Sequence, residues 1–220
     1  MIDSIFIITI QGNEQSEKSA HDCADSVDRN GSGIKPDFFD AFTPKDNIAE
    51  LFEEKNLKPE LWLNSNFIKP FASMSCFLSH FSLWEYCRDL KQTIMILEED
   101  TVLINELPDD LEFDKVMTIS KPSYKGYNDP SHIGVGPLMQ GNHFLGSHGY
   151  VIKPEGAAAL IEKATTDYPN RLDDFLNLND FPWLEEYYPW VVISRDTYSY
   201  VATKQGAQKK QNFTNEYRLI

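Results

Sequence analysis

Glu98, Glu99 and Asp100 are three consecutive carboxylates that directly follow the apolar run Thr93-Ile94-Met95-Ile96-Leu97. Adjacent carboxylates at the end of a buried strand repel one another and lose hydration unless solvent, a partner or a cation offsets the cost. In open α/β sheets the carboxyl ends of the strands are where ligands bind. A divalent metal carrying a phosphorylated ligand would satisfy both conditions, and carboxylate oxygens are hard donors suited to Mn²⁺ or Mg²⁺. Glu98, Glu99 and Asp100 are therefore candidate metal ligands. His148, on a separate apolar segment, is a candidate further ligand. The plain alternative is that the triplet merely opens a solvated loop. The five histidines form no HExxH or other zinc spacing, and the chain has no P-loop, GxGxxG, GxSxG or kinase set.

The elements that must position these residues follow from periodicity. Phe77, Leu78, Phe81, Trp84, Cys87 and Leu90 recur at three- and four-residue spacing, one face of a helix that Ser73 or Ser75 would cap. Residues 93–97 are apolar on both faces, as a central parallel strand requires. Residues 4–10 make a first central strand, Gln11-Gly12-Asn13 breaks it, and residues 17–29 form a polar helix ended by Asn30-Gly31-Ser32-Gly33. A second strand over residues 37–42 completes a βαβ beginning. Residues 48–55 read as a short helix and 57–71 as an irregular wrap. Further strands are expected at 113–119, 143–152 and 189–194, with Pro154 opening a helix that runs to Ala164. Residues 120–142 are rich in Gly, Pro, Ser, Asn and Tyr, the composition of a long loop that either closes over a ligand or is a surface excursion. The alternation implies a single α/β domain over residues 1–203 with a mostly parallel central sheet flanked by helices. Residues 204–220 form a polar tail carrying Lys204, Lys209, Lys210 and Arg218.

Composition excludes several classes of partner. The 220 residues carry a net charge of -14, which argues against nucleic acid or an anionic membrane surface. Hydrophobic residues make up 41%, enough for a core, yet no run approaches a membrane span. Cys23, Cys76 and Cys87 are odd in number and lack CxxC spacing, so they read as reduced thiols. With no recognisable signal peptide, the expectation is a cytoplasmic protein.

Ser75-Cys76-Phe77-Leu78-Ser79-His80, then Trp84, then Ile96-Leu97-Glu98-Glu99-Asp100 resembles glycosyltransferase family 25, whose pattern is Gly/Ser-Cys-x-x-Ser-His-x-x-x-Trp followed by Leu-Glu-Asp-Asp. Gly149, Tyr150, Ile152, Gly156, Ala157 and Leu160 fit a second segment of that family. The resemblance implies a GT-A-like domain. It further implies transfer of a hexose, galactose-like, from a nucleotide-sugar donor such as a UDP-sugar to a hydroxyl acceptor on a glycan, assisted by Mn²⁺ or Mg²⁺, in lipopolysaccharide biosynthesis. It places Ser79 and His80 close to the donor and nucleotide contacts at the end of the first strand, Ile8 and Thr9. It makes Asp173 or Asp174 the counterpart of a family aspartate, and so a candidate general base. Trp62 and Phe67 would then lie near a sugar cleft. Two departures stand out: Glu99 replaces the family's usual aspartate, and the arginines that usually follow the first strand are replaced by Gln11-Gly12-Asn13-Glu14. They leave open an alternative, a catalytically inactive module that binds nucleotide or sugar. A different metal-dependent phosphoryl-type enzyme would need a second carboxylate cluster or histidines at metal spacing, and the sequence shows neither.

Overall fold

The computed structural model describes residues 1–30, 33–63, 69–108, 111–123, 126–167 and 171–195. The basic tail and Phe67 lie outside the described residues. Strand β1 (Ser4–Thr9) leads into helix α1 (Glu14–Arg29), which returns the chain to β2 (Asp37–Asp40). Three helices follow, α2 (Ile48–Glu54), α3 (Pro59–Leu63) and α4 (Pro70–Leu90), and then β3 (Ile94–Glu98) and β4 (Thr101–Leu103). The second half holds β5 (Val116–Thr118), β6 (Gly134–Pro137), β7 (Gly149–Ile152), α5 (Pro154–Thr166), α6 (Leu172–Phe175), β8 (Glu185–Tyr188) and β9 (Val192–Ser194).

Seven strands form one sheet in the order β2-β1-β3-β7-β5-β8-β6, and β4 pairs with β9 in a small second sheet. Five of the seven, β2, β1, β3, β5 and β8, run the same way, while β7 and β6 run against them. This is the mostly parallel α/β sheet expected from the strand–helix alternation.

The central strands are apolar on both faces because each face meets its own core. Phe6, Ile8, Ile94, Ile96, Tyr150 and Ile152 face the core built on α4 and α5. Ile5, Ile7, Met95, Leu97 and Val151 face the core built on α1 and the β9 region. Alternation along a strand sends neighbours to opposite faces, so this partition follows directly from residue number. On the first face, Phe77 and Trp84 of α4 are fully buried. Burial of side chains this large contributes about 1.5–3 kcal/mol each.

Helix α4 differs from the one-faced helix read from the sequence. It is buried nearly all round, including Ser73, Ser75, Ser79 and His80, because α5, α2, α3 and α6 pack on it as well as the sheet. It also starts earlier, at Pro70, with no side-chain cap. Ser75 donates instead to the Phe71 carbonyl (2.8 Å) and Ser79 to that of Ser75 (3.0 Å), the back-bonding of serines inside a helix.

Three other expectations need correction. Trp62 is fully buried against Phe52 and Phe77, so it packs the core and faces no cleft. The 120–142 segment is not a free loop among its described residues. It contains β6, and the backbone N–H groups of Met139 and Gln140 donate to the buried Glu186 carboxylate of β8 at 2.5 and 3.1 Å. The strand expected over 143–152 is confined to Gly149–Ile152. Among the described residues no helix is long and apolar enough to cross a membrane.

Candidate active site

The acidic triplet sits where β3 ends, and its three side chains go to three different elements. Glu98 continues the parity of Ile94 and Ile96 and so faces α4. Its Oε1 lies 3.5 Å from His80 Nε2 and 4.0 Å from the Cys76 sulfur, two residues one helical turn apart on α4. Glu99 and Asp100 occupy the turn into β4, which breaks that parity. Glu99 reaches the first turn of α1, where Ser16 hydrogen-bonds it. Asp100 is buried and accepts a hydrogen bond from the Ser194 hydroxyl of β9 at 3.0 Å. Its carbonyl accepts from the Arg195 N–H at 2.7 Å.

Glu99 carries the electrostatic cost of this arrangement. Burial, then the neighbouring charges of Glu98 and Asp100, push its carboxyl up to about 8 against an ordinary 4.5. The Ser16 hydrogen bond pulls the other way and does not offset them. A divalent cation would supply the missing positive charge, and a carboxylate oxygen is a hard donor of the kind Mn²⁺ and Mg²⁺ take.

The end of β1 is tied into the same corner. Ile8 pairs in register with Glu98. The Ser16 hydroxyl lies 2.9 Å from that of Thr9 and accepts from the Ile10 N–H at 2.8 Å. Asn13 caps α1 by accepting from the Ser16 N–H. The side chains of Ile8 and Thr9 are buried, so Ile8 offers a ligand no more than its backbone, and the Thr9 hydroxyl is engaged with Ser16. Ser79 is engaged as well: its hydroxyl accepts from the Phe42 N–H at 3.0 Å while donating within α4. His80 is 1% exposed, and its Nδ1 lies 2.9 Å from the Tyr150 hydroxyl.

The remaining candidates come from the start of β7 and from α6. The Glu98 N–H donates to the His148 carbonyl at 2.9 Å, which brings the residues before β7 to the acidic end of β3. The buried His148 ring places Nδ1 3.3 Å from the Ser123 hydroxyl. Asp173 joins this strand end because one of its oxygens accepts from both the N–H and the hydroxyl of Ser147, at 2.9 and 2.8 Å. Asp174 turns away to Arg171, whose Nε and one terminal guanidinium nitrogen both contact a single Asp174 oxygen, at 2.8 and 2.6 Å. Among the described residues, one group of His, Cys, Asp and Glu has its potential ligand atoms all within 4.8 Å of one another: Cys76, His80 and Glu98. Glu98, Glu99, Asp100 and His148 thus share a corner of the fold without converging on one point. The residues that arrange them, Ser16, Ser147 and Ser194, gave no sequence signal, since a single serine has neither period nor motif.

Residues 3–176 match the profile of glycosyltransferase family 25, described as an LPS biosynthesis protein. No curated protein matches the chain. Among solved structures, that of an active-site mutant of LgtC aligns over 97% of this chain and 98% of its own, with 13% identity and a TM-score of 0.46.

Proposed function

The chain belongs to glycosyltransferase family 25, and from that membership we propose that it transfers a galactose-like hexose from a UDP-sugar to a hydroxyl of a glycan acceptor. The observation that carries the reading is the acidic turn after β3, where Glu99 is held neutral-leaning by burial and by its two acidic neighbours. Such a turn is short of one positive charge. Glu99 and Asp100 would hold Mn²⁺ or Mg²⁺ there, with Glu98 and His148 flanking. When bound, the cation would stabilise the charge that develops on the diphosphate leaving group.

The protein's own residues supply the rest. The acceptor oxygen forms a bond to the anomeric carbon as the bond from that carbon to the diphosphate breaks. The acceptor's proton needs a base. Asp173 is the better placed of the two aspartates, because Ser147 fixes one of its oxygens beside the strand end. Asp174 is committed to Arg171. Two departures favour the binding-only alternative: Glu99, longer by a methylene than the family's usual aspartate, and Gln11-Gly12-Asn13-Glu14 in place of the arginines that usually follow the first strand.

The test is a thermal-shift titration with UDP and with UDP-galactose, each with and without Mn²⁺, on wild type and Asp100→Asn. The asparagine keeps an acceptor for Ser194 while removing the charge. A ligand at about 100 times its Kd adds about 2.7 kcal/mol of apparent stability. For a domain of this size that corresponds to a rise in Tm of about 5–10 °C. The expected result is a Mn²⁺-dependent shift that Asp100→Asn loses, with slow UDP release from UDP-galactose in wild type. A shift without UDP release would support the binding-only alternative. No shift with either nucleotide on folded protein would refute both readings.

A further inference from the structure

Behind Glu98 lies a chain of polar groups that the transferase reading does not use. Trp84 Nε1 donates to the Tyr150 hydroxyl at 2.8 Å, and that hydroxyl lies 2.9 Å from His80 Nδ1. His80 Nε2 then faces Glu98 Oε1 at 3.5 Å. Trp84, Tyr150 and His80 are all buried, while the Glu98 side chain is 35% exposed at the strand end. The chain therefore runs from the core to the edge of the acidic turn.

Its direction is set by counting protons. An indole N–H only donates, so Tyr150 must accept from Trp84. The phenol has one proton of its own, and among the described residues its hydroxyl meets only Trp84 and His80. If His80 Nδ1 carried the ring proton, the phenol proton would be buried with no acceptor, which native cores avoid. Tyr150 therefore donates to Nδ1, and the proton of the neutral ring sits on Nε2, the nitrogen 3.5 Å from Glu98 Oε1.

We propose that Trp84, Tyr150 and His80 form a one-directional hydrogen-bond chain that fixes the Nε2–H form of His80 and holds the Glu98 carboxylate toward α4, making His80 a positioning residue for the acidic turn. The chain joins residues from both segments that carry the family resemblance, Trp84 and His80 on α4 and Tyr150 on β7. It also explains why His80 can be fully buried beside a site: it acts through Glu98. The same atoms form the Cys76–His80–Glu98 group, but ligation through Nε2 would require the opposite ring form and would strand the phenol proton. The hydrogen-bond chain stands on the protein alone, whereas its consequence for turnover rests on the transferase reading.

The test uses the full chain labelled with ¹⁵N-histidine. The His80 ring signals are assigned by their loss in His80→Gln and read for the protonated nitrogen at pH 8. The expected pattern is Nε2–H in wild type, a mixture of both ring forms in Tyr150→Phe, and a displaced Nε2 signal in Glu98→Gln. If Tyr150→Phe does not fold, Trp84→Phe is read instead, and its His80 signals should also move. An Nδ1–H pattern in wild type, or signals indifferent to these changes, would overturn the proposal. So would stoichiometric binding of Zn²⁺ that Cys76→Ser abolishes. Turnover of UDP-galactose supplies a second arm. His80→Ala should lower kcat about 10- to 100-fold, the usual cost of losing an outer-shell partner, with KM within about twofold. His80→Gln, whose amide N–H replaces Nε2–H, should recover most of it, and equal losses in both variants would refute the positioning role. Absence of turnover in wild type would count against the transferase reading alone, since the ring signals decide the hydrogen-bond chain by themselves.

Discussion

Glu99→Gln should stabilise the protein increasingly as pH rises. The folded-state carboxyl is pushed up to about 8 from an ordinary 4.5, because it is half-buried and sits between Glu98 and Asp100. Between those two pH values the folded chain keeps a proton that the unfolded chain has released. The unfolded state then binds fewer protons, so stability falls as pH rises through this window and levels off above about 8. Integrating the two titrations gives a loss of about 2.5 kcal/mol between pH 5 and 7, and about 4 kcal/mol between pH 5 and 9. Glutamine removes this dependence and keeps a partner for the Ser16 hydroxyl. The assay is urea unfolding of both proteins at pH 5, 7 and 9, followed by the fluorescence of the four tryptophans. Every other titrating group is common to both proteins and cancels in the difference. The stability advantage of the variant should grow by about 4 kcal/mol from pH 5 to 9. A difference that stays flat, or shrinks as pH rises, would show that Glu99 is not the strained member of the turn.

Two further outcomes test the packing around the site. Gly156→Ala should destabilise by about 1–3 kcal/mol in urea unfolding, the usual range for overpacking. Alanine is intrinsically better in a helix by about 1 kcal/mol, but the added Cβ would lie 2.6 Å from the Lys115 carbonyl oxygen and 2.8 Å from Val116, so the clash decides the sign. A stabilised variant would show that α5 can lift from β5. In thiol labelling at pH 8, Cys76 should react well before the other two, because burial pushes the Cys23 and Cys87 thiols up to about 12 while Cys76 is half-buried. At that pH their thiolate fraction is about one in 10⁴. Three equal rates, or a fast phase that survives Cys76→Ser, would contradict this burial.

The parts of the fold that were legible in the sequence are those where one physical requirement dominates. β1 and β3 must be apolar on both faces, and runs such as Ile5-Phe6-Ile7-Ile8 and Ile94-Met95-Ile96-Leu97 leave little choice. The start of α4 was misplaced because its true boundary at Lys69 and Pro70 has no side-chain cap, while the serines that resemble caps bond back along the helix. β8 and β6 were invisible for a different reason. Glu-Glu-Tyr-Tyr and Gly-Val-Gly-Pro carry no strand pattern. Glu186 occupies a buried strand position only because two backbone N–H groups and the Gln140 side chain satisfy its carboxylate. That contact spans 46 residues and cannot be read locally.

The site divides along the same line. Parity alone sends Glu98 to the face of Ile94 and Ile96, and Tyr150 to the face of Ile152, so their meeting with α4 was implicit in the sequence. The turn at Glu99 and Asp100 ends parity, and from there placement depends on β4 pairing with β9, which lies some ninety residues further along the chain. Three adjacent acids therefore do not behave as one ligand set. Each is held by a separate element: Glu98 by α4, Glu99 by the first turn of α1, and Asp100 by β9. Their supports are independent but their charges are not, since Glu98 and Asp100 both raise the Glu99 carboxyl. Neutralising any one acid should therefore relieve Glu99 without moving its neighbours' anchors, so such variants report on the charge of this corner more than on its shape.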